Sequence, residues 1–440
     1  MGMPIDRLSD LPDNLLCCNI LSLLPLKDAI RSSVLSTRWR HLWKHIPCLH
    51  FSRDFFESAN HPDRVRSECL GYLKHTVDDI LLRHSAELES FRIYFGHPLS
   101  RVNLENIAEW IDCAAVKGVK HLGLIIDFTT MEIHIPPSLF DCHSLADLEL
   151  GGFTFSEIPT DFGGFLSLKT CSFSNIYNLT DDKLQQLIAL CPNLQKLVLE
   201  ACFQLENLRI RAPDLDSLKL RGCYSIESLT ADCPRLVKLE VEDCDSLFKM
   251  QLNFCVFLQN VTASGFGSFG GVCTVKFLKT LSFMAYPEIS HPPFLTLVGS
   301  FPDLEELKLT AIFFEDMTVG KMVVPRQDVA AQKLLAHTKF PNLKKVYIEI
   351  SSEMSQNEIA FLAFLLSYTP SLKVMSVILP HCPKNIHNQM FIDQVLCLDK
   401  ASHEAEIRIS NNRELLDVIC MEMHNLYEIH EGYNFYHWHG

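Results

Sequence analysis

Few residues in this 440-residue chain stand in a pattern that chemistry could use. Gly265 to Gly270, GFGSFG, matches G-x-G-x-x-G, the spacing that cradles a dinucleotide phosphate. That use requires the loop to open a helix whose N-terminal amides face the phosphate. The residues that follow, VCTVKF, are β-branched and strand-like, so the match is discounted. The tail HNLYEIHEGYNFYHWHG brings His430, His437 and His439, yet no second ligand set at zinc spacing accompanies them. No GxSxG elbow, Walker lysine loop, HExxH helix or supported carboxylate pair occurs. The expectation is a chain with no catalytic residue, no metal site and no cofactor.

The seventeen cysteines have a register of a different kind. Cys202, Cys223 and Cys244 lie 21 residues apart, and Cys191, Cys233 and Cys255 keep the half-period. A thiol returning at one place in a periodic chain suits a tight, buried turn better than a metal or a disulfide.

The elements that hold those turns are repeats. Apolar residues recur as L-x-x-L-x-L at Leu194/Leu197/Leu199, Leu205/Leu208/Ile210, Leu215/Leu218/Leu220, Ile226/Leu229/Ala231, Leu236/Leu239/Val241 and Leu247/Met250/Leu252. First positions step by 11, 10, 11, 10 and 11, so two steps make a 21-residue unit of leucine-rich-repeat size. Each unit buries its apolar face against its neighbours, and the core runs the length of a solenoid. Degenerate units are placed at Leu88/Phe91/Ile93, Leu122/Leu124, Leu145/Leu148/Leu150 and Leu168/Cys171/Phe173, with looser ones from Leu258 to Leu309. Helices are expected over Val65 to His84, over Leu104 to Ala115 capped by Asn103 and ended at Gly118, and from Thr180.

Net charge is −14 and pI near 5.7, which argues against nucleic acid or an anionic membrane as the main partner. No apolar run approaches the roughly 18 residues that span a bilayer, and MGMPIDRLSD has no signal core. Asp6 stands where a myristoylation motif needs Ser or Thr. An intracellular protein of the nucleus or cytoplasm is expected.

Residues 8–51 form a compact helical head. Asp10 is placed to cap a first helix that Pro25 stops, a second fits Lys27 to Leu35, and Ser36 caps a third through Trp39 to Trp43. From Leu11 to Leu26, ten of sixteen residues are Leu, Ile or Cys, a helix apolar around most of its circumference. So small a module cannot cover that surface alone.

The stretch LPDNLLCCNILSLLPLKDAIRSSVLSTRWRHLW resembles a plant-type F-box. The resemblance implies docking on a Skp-type adaptor, and through it on the cullin and RING subunits of a ubiquitin ligase. The residues it assigns to docking are Leu11, Pro12, Leu15, Ile20, Leu23, Pro25, Leu26, Val34 and Leu35, with Trp39, Leu42 and Trp43 nearer the repeats. Lys27, Arg31, Arg38, Arg40 and Lys44 against Asp28 alone give this stretch a local basic excess. That excess suits steering toward an acidic adaptor. Further on, FPNLKKVYIEISSEMSQNEIAFLAFLLSYTPSLKVMSVIL reads strand, helix, strand, with Ser355 and Glu358 as a capping box. With DKASHEAEIRI it resembles the FBD region that ends many F-box/leucine-rich-repeat proteins.

The expected organisation is α/β: a three-helix F-box head at 8–51, a linker and connecting helix at 52–87, and a horseshoe-like leucine-rich-repeat solenoid at 88–339. An FBD-like region follows at 340–415, then a tail at 416–440. Residues between the leucines line the exposed strand face. They give the columns Lys196/Ser217/Lys238, Val198/Lys219/Glu240 and Glu200/Arg221/Glu242, a face of mixed sign and the candidate substrate surface. Glu200, Arg221 and Glu242 are expected to form an exposed charge ladder, worth about 0 to 1 kcal/mol per pair. The expected function is substrate recognition for an SCF-type ubiquitin ligase, with an unknown protein substrate on the repeats. The alternatives are a small-molecule receptor with its pocket near Leu258 to Leu304, or a non-degradative scaffold.

Overall fold

The computed structural model describes residues 11–52, 55, 66–95, 105–126, 133–244, 246–247, 249–264, 278–284, 301, 303–312, 340–350, 356–379 and 386–410. The proposed caps Asp10, Asn103 and Ser355, the glycine run 265–270, most of the 258–304 interval and the histidine tail lie outside these residues. The chain divides into two compact units, 1–205 with 211–215, and 206–210 with 216–440.

The first unit opens with the head. Helix α1 (Asp13–Leu15) widens into a π-helical stretch, Leu16–Ile20, and tightens to a 3₁₀ turn, Leu21–Leu23. Helix α2 (Leu26–Arg31) runs on through a 3₁₀ turn at Ser32–Val34, and α3 (Trp39–Leu42) through one at Trp43–His45. Pro12 and Pro25 stand in extended backbone immediately before α1 and α2, where a missing N–H costs nothing. Two links tie α3 to α1: Arg38 ion-pairs with Asp13 at 2.7 Å, and the Cys17 thiol donates to the Leu42 carbonyl at 3.3 Å.

The head ends in a strand, and most of the linker expected at 52–66 lies outside the described residues. Cys48–Phe51 forms strand β1, which pairs in parallel with β2 (Ser90–Phe95), so the head supplies the first strand of the array. Helix α4 (Arg66–Arg83) lies between them in sequence. Its last turn leads to His84, whose Nε2–H donates to the Ile46 carbonyl at 2.8 Å. Parallel pairing continues through β3 (His121–Ile126), β4 (Asp147–Gly151), β5 (Thr170–Ser174) and β6 (Lys196–Glu200). Helices serve as connections: α5 (Glu105–Val116) buries Ile107, Trp110, Ile111 and Ala114 at helical spacing, and α6 (Asp181–Ala189) buries Leu184, Leu187 and Ile188. Gly118, at φ +71°, ends α5 in the left-handed conformation that glycine tolerates, and Thr180 Oγ1 accepts from Lys183 N at the start of α6.

In the second unit both halves of the 21-residue repeat are strands. β7 (Asn207–Arg211), β9 (Ser228–Asp232) and β11 (Lys249–Asn253) make a three-stranded parallel sheet of their own. The alternate strands β8 (Ser217–Arg221), β10 (Lys238–Glu242) and β12 (Asn260–Ser264) belong to the main sheet. That sheet continues through β13 (Thr280–Met284), β14 (Glu306–Ile312), β15 (Lys345–Ile350), β16 (Val374–Ile378) and β17 (Glu406–Ser410). Helix α7 (Gln356–Tyr368) joins β15 to β16, matching the strand-helix-strand expectation. Helix α8 (Ile386–Leu396), before β17, was not foreseen: only Phe391 and Val395 of its last turns are buried among its described side chains, too sparse a pattern to read.

Every leucine-type residue of the six regular half-steps is buried, each contributing roughly 1.5 to 3 kcal/mol of transfer free energy. The turn after the strand explains the cysteines. Gly152, Asn175, Ala201, Gly222, Asp243 and Phe254 each follow a strand's last residue with positive φ. At four of these turns, those of Ala201, Gly222, Asp243 and Phe254, the next residue is Cys202, Cys223, Cys244 or Cys255. Each of these thiols donates back to the strand's terminal carbonyl, at 3.6, 3.5, 3.3 and 3.4 Å, respectively. Serine would fit the space with a far greater desolvation cost. Burial pushes the Cys191 thiol up to about 12 and raises Cys255, while the hydrogen bond with Cys223, and then burial, raises Cys244, so these groups stay protonated.

Candidate docking faces

The head leaves apolar surface uncovered. Leu16, Cys17, Leu21, Leu26, Ala29, Leu42, Trp43 and Ile46 fill its interior. On the outside, Leu15 and Leu24 are 42% exposed, Leu35 66%, Leu23 81% and Val34 85%. Four of these five, Leu15, Leu23, Val34 and Leu35, belong to the docking set inferred from sequence, as do the exposed Pro12 and Pro25. Leu11, Ile20 and Trp39 are half-buried. Leu26, Leu42 and Trp43 differ from that expectation: their side chains are buried in the free chain, at 5%, 3% and 6% exposure. Leu24 joins the open set instead. The basic excess is also smaller than counted, since Asp13, from outside the counted stretch, holds Arg38 at 2.7 Å.

In the second unit the strand face carries the expected columns. Register pairs Ser217 with Lys238, Lys219 with Glu240 and Arg221 with Glu242. The ladder is denser and drier than exposed pairs would be. Lys219 lies 3.9 Å from Glu240 and 3.4 Å from Glu242, Arg221 reaches Glu242 at 3.8 Å, and Lys238 reaches Glu240 at 2.6 Å. Glu242 is only 6% exposed. Burial raises its carboxyl pKa, with Lys219 and Arg221 opposing. The expected value of a solvated pair does not apply to it. In the first unit, Lys196, Val198 and Glu200 lie on β6 opposite Thr170, Ser172 and Ser174 of β5.

A second polar group on the first unit's strand face escaped the sequence reading. Tyr94 donates to Glu149 Oε2 at 3.0 Å, and Arg92 lies 3.9 Å from the same oxygen. The Arg92 stem crosses Gly123, where an added Cβ would come within 3.1 Å of it. Burial, then the Glu149 charge, pushes the Tyr94 phenol up to about 12, so it remains a donor. His121 bonds Asp147 on the same face, and His50 Nε2 lies 2.8 Å from Ser90 Oγ. The period-2 rule that gave the later columns also marks Arg92, Tyr94 and Glu149 as outward. Their proximity, 55 residues apart for Tyr94 and Glu149, depends on a register that irregular spacing hides.

Comparison with known proteins bears on both regions. A family model described as "F-box domain" matches residues 8–51, and one described as "FBD-associated F-box protein At5g56370, LRR repeats" matches residues 107–256. In these two stretches the chain is similar to F-box/leucine-rich-repeat proteins. Its curated relatives include, from Arabidopsis thaliana, F-box/LRR-repeat protein At3g26922, 33% identical over 45% of this chain and 60% of the relative. F-box/LRR-repeat protein 13 is 31% identical over 47% and 44%, and F-box/FBD/LRR-repeat protein At1g78750 is 33% identical over 45% and 43%. The chain thus spans about half the length of the curated relatives it matches. A solved plant peptide hormone receptor, RGFR1 in complex with RGF2, aligns with 73% of this chain and 54% of its own at 13% identity, with a TM-score of 0.22. A score that low bears on nothing further. The open leucines fall in the stretch that the F-box model matches, and the ion-paired columns in the stretch that the repeat model matches. Among the described residues no helix is long and apolar enough to cross a membrane, and no group of three or more His, Cys, Asp or Glu is placed to hold a metal.

Proposed function

We propose that this protein is the substrate-recognition subunit of an SCF-type ubiquitin ligase, working inside the cell in the nucleus or cytoplasm. The F-box docks on a Skp-type adaptor, and cullin and RING subunits join through that adaptor. The repeats, with an FBD-like region at 340–415, hold a protein substrate. The chain contributes no catalytic group. It places substrate lysines near a charged ubiquitin carrier, an effect of proximity and orientation.

The observation that supports this reading is the open apolar set on the head. Leu15, Leu23, Leu24, Val34 and Leu35 are exposed in a module whose interior is already filled. An exposed cluster of large apolar residues marks a protein contact more than a solvent face. Pro12 and Pro25 stand at the starts of the first two helices of the head.

The test is capture of a purified Skp-type adaptor by the full chain. Leu23→Glu with Val34→Glu should abolish capture while circular dichroism stays unchanged, since both side chains already face water. Undiminished capture by the double variant would remove the docking assignment.

A further inference from the structure

Two open features meet at the last strand of the second sheet. β11 pairs in parallel with β9 along one edge, from Lys249 opposite Ser228 to Asn253 opposite Asp232. The strand order β11-β9-β7 leaves its other edge without a partner strand among the described residues. Lys249 N donates to the Glu227 carbonyl, on the β9 side. Alternate residues of a parallel strand bond to opposite neighbours, so the N–H and C=O groups of Met250 and Leu252 point to the open side. Their side chains are buried, and the edge there is backbone alone.

The turn that follows is apolar where its counterparts are not. After β7 the chain reads Ala212-Pro213-Asp214-Leu215, and after β9 it reads Cys233-Pro234-Arg235-Leu236. After β11 it reads Phe254-Cys255-Val256-Phe257-Leu258, one residue longer. The inward positions are kept: Ala212, Cys233 and Cys255 are buried, as are Leu215, Leu236 and Leu258. Between them a proline and a charged residue are replaced by Val256 and Phe257, 52% and 58% exposed, and the added Phe254 is 76% exposed. Phe254 has φ +59°, a left-handed conformation uncommon for a bulky side chain.

The size of the patch narrows what could cover it. Taking about 150 to 250 Å² for a whole aromatic side chain, the three residues expose on the order of 350 Å². A standard interface takes about 800 Å² from each partner, so a second copy of the chain would find less than half of what a stable dimer needs. A few apolar side chains of one short segment fit that area. The open edge beside it selects an extended backbone for that segment, one whose own N–H and C=O groups add to β11.

We infer that β11, with Phe254, Val256 and Phe257, is a docking site for an extended segment of a protein partner that carries large apolar side chains at alternate positions and adds to the sheet as a strand. The inference rests on the reading of the repeats as a protein-holding arm and names the chemistry of one segment they hold. It places that contact on the second sheet, apart from the ion-paired columns of the main one.

Fluorescence anisotropy of the full chain tests it with three labelled heptapeptides: alternating threonine and phenylalanine, the same peptide with alanine for phenylalanine, and the phenylalanine peptide with every backbone nitrogen methylated. The first should bind at least about tenfold more tightly than either of the others, since the second lacks the anchors and the third cannot donate to an edge. Phe254→Gly should weaken that binding about tenfold while leaving the thermal midpoint unchanged or raised, because glycine accepts the left-handed backbone. Phe257→Asp, at the position where the β9 turn carries Arg235, should weaken it similarly without touching the core. A first peptide that binds no better than the other two, or that both variants still bind fully, overturns the inference. Self-association in sedimentation velocity that Phe254→Gly abolishes overturns it too, by giving the patch to a second copy. Adaptor capture is scored separately. Loss of capture with peptide binding kept defeats the ligase reading alone, and capture without peptide binding defeats the docking site alone.

Discussion

The head and the repeats use the same amino acid in opposite ways. In the repeats Leu218, Leu220 and Leu239 are wholly buried, each covered by the rung before it and the rung after. In the head Leu23 and Leu35 stand mostly in water, though the helices that carry them are well formed. A repeat closes its own surface by adding another copy of itself, so its leucines measure stability. A head with no second copy cannot, and its outward leucines measure what it is missing. One residue type therefore reports on folding in one region and, in the function proposed above, on partnership in the other.

That contrast is easiest to break at its extremes. Leu23→Glu with Val34→Glu should cost at least about 4 kcal/mol of adaptor binding, as paired hot-spot losses do, and shift urea unfolding by under about 0.5 kcal/mol per site. Titration calorimetry and equilibrium unfolding read the two numbers on one preparation. Leu218→Ala should show the reverse, a loss of about 2 to 5 kcal/mol in unfolding free energy with adaptor affinity unchanged in the folded protein. If both variants moved both quantities, head and repeats would not be separable in the way their burial implies.

A smaller effect sharpens what holds the rungs. Gly152 has φ +80°, and a Cβ there would fall 2.1 Å from the Ile126 carbonyl. Gly152→Ala should therefore destabilise by roughly 2 to 3 kcal/mol through backbone strain and displacement, visible as a lowered thermal midpoint.

The smallest concerns the joint between the two regions. His84 is buried, donates to Ile46 O and has Lys117 Nζ 3.5 Å from its other ring nitrogen. Burial lowers its pKa from 6.5, with Lys117 and His45 adding to the effect and the Ile46 bond opposing it. The unfolded chain therefore takes up this proton first as pH falls. Stability should be constant above about pH 7 and decline as pH drops below 6.5. His84→Gln should flatten that part of the profile; an unchanged slope would place the titrating group elsewhere.

Much of this was readable from residue spacing. The six leucine half-steps, the α6 cap at Thr180, the turn at Gly118 and the cysteine register each follow from a local period, and the fold confirms all of them. The second sheet of β7, β9 and β11 was harder, because an L-x-x-L-x-L step reads alike whichever sheet its strand joins. The Arg92, Tyr94 and Glu149 group was harder still. Its members come from strands with unequal connections, and its geometry depends on Gly123 having no side chain to separate them.

Strand β1 has a mechanical consequence. Cys48 to Phe51 pair with Ser90 to Ile93 in unbroken register, and Glu89 N donates to the Pro47 carbonyl just ahead of them, at 2.8 Å. A pull along these strands meets the whole ladder in shear, where the bonds share the force, rather than opening them one after another. Tension between a partner seated on the head and a weight carried by the first strands would therefore be transmitted stiffly, as through a splice and not a hinge.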